Sequence, residues 1–254
     1  MISCKYHECD YEKAVLELLQ NQGWQYTGGY DIHRKDDEIL LKDDLQQYLT
    51  ARYGVFSPDE LGRIAGYVVG GEHQSLYNNM KTAYTRLMRG YTLHRDDDTT
   101  LFIEFFDMED GHCSNNIFRA VNQFEVDGYK KRIPDIVLFI NGIPVSVFEL
   151  KNPADEDVSI ADAYTQTHVR YCKDIPDLMR FDFINVISDG ANTKYGSLFS
   201  DYEFYFVWKS TDGKDYAADA QGIVLTHTLI AGLFAPATLL RVLHDYIYFP
   251  DNSS

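Results

Sequence analysis

Cysteine is scarce in this 254-residue sequence, and the four cysteines, at positions 4, 9, 113 and 172, form no Cys-x-x-Cys pair. Structural zinc sites and disulfide frameworks need cysteines at regular spacings, so we expect neither and predict reduced thiols. The amino terminus has Glu8, Asp10 and Glu12 where a signal peptide would have basic residues and an apolar core. Together these absences predict a cytoplasmic protein.

Long apolar runs are also missing, apart from the 19 residues at 222–240, which include no Asp, Glu, Lys or Arg. This run contains His227, three threonines and Pro236, and it lies at the lower length limit for a membrane span. We therefore predict two packed helices with a break near Pro236, and no membrane association.

Two further absences limit the function. No Gly-x-x-x-x-Gly-Lys-[Ser/Thr] phosphate-binding loop occurs, so this chain is not expected to bind ATP as a P-loop motor does. Basic residues are few, since 23 Lys and Arg against 39 Asp and Glu give a formal net charge of −16. DNA affinity comes largely from cations that neutralise phosphates, and this charge argues against a free-standing DNA-binding protein.

The most informative stretch that is present joins two apolar runs, 136–140 and 143–148, through Asn141-Gly142. Asn-Gly between β-prone runs predicts an antiparallel hairpin. Asp135, Glu149 and Lys151 stand at its open end. The hairpin therefore holds two carboxylates and one ammonium on a stiff element.

Side-chain direction decides whether Asp135 and Glu149 can meet. Strand side chains alternate between faces, so Glu149 and Lys151 share one face. A plain two-residue loop would place Asp135 opposite Phe148, on the other face from Glu149. We predict that a three-residue loop with Gly142 in the left-handed conformation, or a β-bulge with the same effect, restores the match.

The chemistry of this cluster is that of a metal site. The carboxylates of Asp135 and Glu149 and the backbone carbonyl of Leu150 are hard oxygen ligands of the kind that Mg²⁺ prefers. Such an ion polarises a phosphodiester and lowers the pKa of a bound water, while Lys151 orients that water. The basic run Lys130, Lys131 and Arg132, directly upstream, is a candidate DNA-contacting lip. The alternative is an ordinary surface ion pair beside a solvated charge run.

Two segments carry a family resemblance. They are RIPDIVLFINGIPVSVFELKNP and DAYTQTHVRYCKDIPDLMRFDFINVISDG, followed by GSL and an aromatic segment that ends at Trp208. Together they resemble the nuclease domain of the motor (R) subunit of type I restriction enzymes. The resemblance is strongest between about 115 and 210. It implies a PD-(D/E)xK nuclease with Asp135, Glu149 and Lys151 as the catalytic set.

The family also has a Gln-x-x-x-Tyr signature on the helix that follows the hairpin. Tyr171 matches its tyrosine, but the residue four positions earlier is Thr167, and Gln166 lies one position further away. One residue rotates a helical side chain by about 100°, so the sequence alone leaves the role of Gln166 open. Related nuclease folds also bring a helix carboxylate to the metal, which makes Glu8 or Glu12 a candidate ligand.

The resemblance implies an α/β fold with a central mixed β-sheet flanked by helices and an extra helical N-terminal elaboration. We expect a nuclease domain at 1–230, with its core at about 100–210 and the elaboration at about 8–90. A helical connection at 231–254 would lead towards a motor domain. The implied partners are double-stranded DNA, that motor domain, and the methyltransferase and specificity subunits. The implied cofactor is Mg²⁺, which Mn²⁺ can replace, with ATP used only by the full-length subunit.

A second function class stays open at this point. The chain could be a non-catalytic docking module that keeps the nuclease fold to bind its motor or methyltransferase partners. The charge of −16 favours that hypothesis, whereas the intact triad of Asp135, Glu149 and Lys151 favours a nuclease.

Hydrophobic residues make up 45% of the chain, enough for a substantial core. Ser57 and Pro58 predict a helix start. Periodicity predicts further helices at 8–20, 73–89 and 158–173. Apolar and aromatic runs predict strands at 91–93, 101–106, 118–126, 183–187 and 204–209.

Overall fold

The structure is a computed structural model that describes residues 6–71, 75–109, 111–151, 158–211 and 222–250, with only the backbone at 6–8. The helices are α1 Tyr6–Asn21, α2 Lys42–Tyr53, α3 Pro58–Val69, α4 Leu76–Arg89, α5 Ile160–Thr165, α6 Cys172–Asp174, α7 Pro176–Met179, α8 Ile223–Gly232 and α9 Pro236–Asp245. A π-helix, Gln166–Tyr171, lies between α5 and α6.

The strands are β1 Gln25–Gly28, β2 Tyr91–His94, β3 Thr100–Ile103, β4 Phe118–Asn122, β5 Val126–Asp127, β6 Lys131–Arg132, β7 Ile136–Ile140, β8 Ile143–Leu150, β9 Asn185–Ser188 and β10 Thr193–Gly196. Six of them form the central sheet in the order β1-β4-β7-β8-β9-β10. The β1–β4 and β8–β9 pairs are parallel and the other pairs are antiparallel. The predicted mixed sheet flanked by helices is therefore confirmed.

The two central strands of the sheet are completely buried. Every residue of β7 and β8 is buried, as the almost entirely apolar runs at 136–140 and 143–148 predict for strands covered on both faces. One hydrophobic core extends from Tyr11 on α1 to Leu243 on α9. Polar contacts reinforce that packing, since the indole of Trp24 donates to the carbonyl of Phe234 at 2.9 Å.

Several local predictions are confirmed. Ser57 caps α3 in a capping box with Glu60, and Pro58 is the first helical residue. Residues 222–240 form two helices, with α9 starting at Pro236. No single described helix is long and apolar enough to cross a membrane. Only α8 and α9 taken together reach that length and composition, and they are bent by 69° at their break.

Outside the β7–β8 hairpin, two sequence predictions are wrong. The predicted strand at 204–209 forms only a 3₁₀ turn, Tyr202–Phe204, and a single bridge between Tyr195 and Phe206. Aromatic β-propensity reflects packing on a half-buried sheet, and this segment instead buries Tyr205 while leaving Phe204 and Phe206 more than half exposed. The expectation of reduced thiols also fails at Cys9, which is disulfide-bonded. A disulfide depends on the separation of two backbones in space, which cysteine spacing in the sequence does not reveal. Cys113 and Cys172 are free.

Candidate active site

The β7–β8 hairpin has a two-residue turn and an internal bulge. Ile140 pairs with Ile143, and both Asn141 and Gly142 have positive φ, as a type I′ turn requires. The register then shifts by one between Leu138 and Phe139, because β8 contributes one extra residue, Val145. The predicted three-residue loop is thus wrong, and the predicted alternative, a bulge, is confirmed.

Neighbouring chain segments hold the bulge in place. The carbonyl of Val145 accepts the Phe183 N–H at 3.1 Å, and the Val147 N–H donates to the carboxylate of Asp182 at 2.9 Å. Strand β9 pairs only with 148–150, so this part of β8 would otherwise lack partners on that side. The segment before β9 therefore completes the hydrogen bonds that the bulge leaves open.

The bulge brings Asp135 to the same end and face of the hairpin as Glu149. Beyond the bulge Ile136 pairs with Phe148, and one Asp135 carboxylate oxygen accepts the Leu150 N–H at 2.7 Å. Burial and the nearby Glu149 carboxylate raise the pKa of Asp135 well above its ordinary value. Two carboxylates crowded in this way favour a cation between or beside them.

Glu149, Lys151, Gln166 and Tyr171 form a closed hydrogen-bond cycle. The Lys151 ammonium donates to one Glu149 oxygen at 2.6 Å and to the Gln166 amide oxygen at 2.8 Å. The Gln166 amide nitrogen donates to the Tyr171 hydroxyl at 2.8 Å, and that hydroxyl donates to the other Glu149 oxygen at 2.9 Å. Glu149 and Tyr171 are buried, so the cycle lies in a dry setting where such bonds are strong.

The π-helix is what allows Gln166 to join this cycle. A π-helix makes i to i+5 hydrogen bonds, so one extra residue fits in a turn without rotating the flanking α-helical segments. Here the π-helix spans Gln166–Tyr171, and the two end residues contact each other. The departure from Gln-x-x-x-Tyr spacing therefore leaves both side chains at the hairpin. Periodicity analysis missed this because it assumes 3.6 residues per turn throughout.

Of the two helix carboxylates predicted from the resemblance, Glu12 lies near the site. It is buried, and its two oxygens accept the side-chain amides of Asn122 at 2.6 Å and Gln123 at 2.7 Å. Its charge contributes to the raised pKa of Asp135. The side chain of Glu8 lies outside the described residues. Asn122 and Gln123 were not predicted as site residues, since nothing in the sequence links them to a carboxylate 110 residues away.

The predicted basic lip divides into paired and unpaired cations. Lys131 forms ion pairs with Asp36 and Glu125, and Arg132 donates two hydrogen bonds to Asp174, at 2.9 and 2.5 Å. Lys130 is exposed, and within the described part of the chain its ammonium has no hydrogen-bond acceptor or ion-pair partner.

A second acidic group lies towards the other end of the hairpin. The ligand atoms of Asp107, Glu109 and His112 lie within 4.8 Å of one another. Asp107 already binds Arg52 and Asn115, however, and Glu109 and His112 are exposed. The Asp135 and Glu149 pair is therefore the better candidate for a catalytic cation.

Comparisons with known proteins agree with the geometry. The family model described as the type I restriction enzyme R protein N terminus matches residues 5–204. The chain belongs to this family. Membership of a restriction endonuclease family implies a divalent metal ion, and the carboxylates described above provide oxygen ligands for such an ion.

Similar curated proteins point the same way. The chain is 29% identical to the type I restriction enzyme HindI endonuclease subunit of Haemophilus influenzae over 97% of its own length. It is also 29% identical to the putative type I restriction enzyme MjaIXP endonuclease subunit of Methanocaldococcus jannaschii, over 93% of its length. The chain spans about a quarter of each of these relatives, 24% and 25%. It matches the type I restriction enzyme EcoprrI endonuclease subunit of Escherichia coli with 27% identity over 76% of that protein.

Proposed function

We propose that this chain is the Mg²⁺-dependent endonuclease domain of a cytoplasmic type I restriction enzyme and hydrolyses phosphodiester bonds of double-stranded DNA. The observation that carries the proposal is the bulge-corrected register, which brings Asp135, Glu149 and Lys151 together at one end of the hairpin. The family's relatives are named endonuclease subunits, which supports the same reaction class.

The charges of the site fit a divalent cation. Asp135, Glu149 and Glu12 contribute three carboxylates, whereas Lys151 contributes one ammonium. The second carboxylate oxygen of Asp135 has no hydrogen-bond donor among the described residues. Asp135, Glu149 and the Leu150 carbonyl would hold the ion, with Glu12 as an additional ligand. When bound, Mg²⁺ would polarise the phosphodiester and lower the pKa of a coordinated water, and Mn²⁺ would serve in its place.

The remaining members of the cycle position the reacting groups. Lys151 is held by Glu149 and Gln166, so its ammonium stays beside the carboxylates, where it orients the attacking water and offsets developing negative charge. Tyr171 fixes the second oxygen of Glu149. Gln166 and Tyr171 are therefore supporting residues that hold Lys151 and Glu149 in register.

The rest of the proposal concerns partners. The relatives continue well beyond the length of this chain. We expect residues 231–254 to connect the nuclease domain at 1–230 to a motor domain that uses ATP. The methyltransferase and specificity subunits would complete the enzyme and deliver DNA, which accounts for a nuclease with a net charge of −16. That charge is also the observation that favours the second candidate, a non-cutting docking module for these partners.

One experiment separates the two candidates. Plasmid cleavage and melting temperature would be measured with and without Mg²⁺ or Mn²⁺ for the wild type, Glu149→Ala and Lys151→Ala. Glu17→Ala, an exposed carboxylate on α1, is the matched control. We expect cutting that both site variants abolish, and a metal-dependent rise in melting temperature that Glu149→Ala removes. Absence of cutting and of any metal effect in the wild type would reject the nuclease and leave the docking module.

A further inference from the structure

Unpaired cations gather beside the catalytic hairpin although the chain as a whole is acidic. Lys130, Arg170 and Lys173 are all exposed, and among the described residues the side chain of none of them has a hydrogen-bond or ion-pair partner. Lys131 and Arg132, which adjoin Lys130 in sequence, have their charges offset by carboxylates. The two groups differ in what they can offer a ligand, since only unpaired cations bind a new anion without breaking an existing ion pair.

The loop that contains Lys130 packs against the end of the helical segment that contains Arg170 and Lys173, which brings the three unpaired cations into one region of the surface. The N–H groups of Tyr129 and Lys130 both donate to the carbonyl of Asp174, at 2.7 and 3.4 Å. A Cβ added at Gly128 would lie 2.4 Å from that same carbonyl oxygen, so the contact is close. The loop that carries Lys130 therefore touches the helical segment that carries Arg170 and Lys173.

The same helical segment carries the supporting residues of the site. In sequence, Arg170 directly precedes Tyr171, whose hydroxyl contacts Glu149, and Lys173 follows it by two residues. In a π-helix, residues four and five apart lie on nearly the same side, so Arg170 is on the side of Gln166. The patch formed by Lys130, Arg170 and Lys173, called here the basic patch, thus borders the catalytic cluster through Arg170.

Two of the carboxylates near these cations already have cationic partners of their own. Asp174 is engaged by Arg132, and Asp177 lies 3.5 Å from Arg180. Hydrogen bonds from Ser159 lower the pKa of Asp162, and the charges of Lys151 and Arg170 lower it further, but Asp162 forms no ion pair with Arg170 among the described residues. The basic patch is therefore a local positive surface on a molecule of net charge −16.

We propose that the basic patch binds the phosphate backbone of duplex DNA next to the bond to be cut. This inference rests on the proposed function, because a phosphodiester can reach Asp135 and Glu149 only if flanking phosphates lie along the adjacent surface. Such contacts position DNA without reading its sequence. They also give the acidic chain a short-range affinity for DNA once partner subunits have delivered it.

The test uses the salt dependence of DNA binding to count the phosphates that the protein contacts. Binding of a short fluorescent duplex would be measured by anisotropy from low to moderate salt in EDTA, so that no cutting occurs. Arg170→Ala/Lys173→Ala is compared with Arg89→Ala/Arg241→Ala, which removes the same charge from two other exposed cations without a partner in the described residues. We expect the slope of log Kobs against log salt to become about 1.8 less steep in the patch variant, from about 0.9 per phosphate, and to be unchanged in the control. Adding Lys130→Ala brings the change to about 2.7.

Each outcome decides the proposal. Equal loss of slope in the patch and control variants would mean a general charge effect and would overturn the basic patch, as would a wild-type chain that binds no duplex at low salt. The metal assay separates this result from the proposed function. If the slope changes as expected but metal neither cuts DNA nor raises the melting temperature, then the patch stands and the nuclease falls. If metal acts but the slope is unchanged, only the patch falls.

Discussion

The two ends of the β7–β8 hairpin satisfy their polar groups in opposite ways. At the turn, the buried Asn141 side chain donates to the carbonyl of Phe105 and to Asn116, both at 2.8 Å, and accepts the Ile117 N–H at 2.7 Å. Gly142 approaches α2 so closely that a Cβ would lie 2.2 Å from the Leu41 carbonyl oxygen. These partners are neutral, and the hydrogen bonds of the side chain are complete.

The open end holds ionised groups in a partly dry environment. Burial and the charge of Glu149 raise the pKa of Asp135. The ammonium of Lys151 donates a hydrogen bond to the carboxylate of Glu149. The turn therefore contributes stability, while the open end keeps charges that an unbound protein would be more stable without. Functional sites commonly show this exchange of stability for activity.

The largest expected effect is at the open end. We predict that Asp135→Asn lowers metal-dependent cleavage by about 100-fold or more, a typical cost of removing one electrostatic contact to a transition state. The metal-free melting temperature should not fall, because the substitution relieves repulsion with Glu149. Cleavage rates and melting curves would be compared with Asp43→Asn, which changes an exposed carboxylate on α2. A variant that melts well below the wild type would contradict the assignment of this end to function.

The converse experiment is at the turn. Asn141→Ala should lower the free energy of unfolding by about 3 kcal/mol, because it leaves buried polar groups without partners. Asn141→Gly loses the same bonds but tolerates the positive φ of 52°, so it should be about 1 kcal/mol less harmful. Urea denaturation measures both, and the metal-dependent rise in melting temperature should persist. A loss below about 1 kcal/mol for Asn141→Ala would show that the turn is not the stabilising end.

The buried carboxyl of Asp182, which contacts the middle of β8 at Val147, tests how far the stabilising region extends from the turn. Burial raises the pKa of Asp182 to about 7, and its oxygens accept the Val147 N–H and the Asn185 amide. Between its ordinary value of 3.8 and about 7, the folded state keeps a proton that the unfolded state releases, so stability falls as pH rises. From pH 5 to 6.5 the loss should be about 2 kcal/mol. In Asp182→Asn this pH-dependent part should disappear, and an unchanged slope would place the origin elsewhere.

The smallest effect is expected from shortening the π-helix. Deleting Val169, which is 61% exposed, would give Gln-Thr-His-Arg-Tyr and allow a regular α-helix. We expect the melting temperature and the metal response to stay close to those of the wild type. Gln166→Ala is the comparison, since it keeps the length but removes two hydrogen bonds of the cycle. A deletion as harmful as Gln166→Ala would show that the extra residue itself is required.

The short-range features of the site were predictable. Asp135, Glu149 and Lys151 lie within 17 consecutive residues, and the alternation of strand side chains shows that a register shift is needed to bring them together. Its position was not predictable, because Val145 is held by hydrogen bonds from 182–183, which lie in a different part of the sequence. The central strands and most helices follow from local periodicity in the same way.

Long-range pairing accounts for most of what was missed. The sequence suggested that Lys131 and Arg132 are free cations, because their partners Asp36 and Asp174 are 95 and 42 residues away. The second partner of Lys131, Glu125, is only six residues away, and the local sequence did not reveal that pair either. Residues 204–209 have the composition of a strand, but a strand also needs a neighbouring edge that continues the ladder, and only one bridge forms. These features depend on the assembled fold.

The π-helix has a consequence for how such domains are found and aligned. A search for Gln and Tyr at a fixed separation of four would reject this chain, although both side chains reach Glu149 or Lys151. The wider turn of the π-helix accommodates one extra residue between Gln166 and Tyr171. The spacing in the sequence changes, but both side chains still make their contacts at the hairpin. Motif definitions for this family therefore gain sensitivity if they accept a separation of either four or five positions between Gln and Tyr.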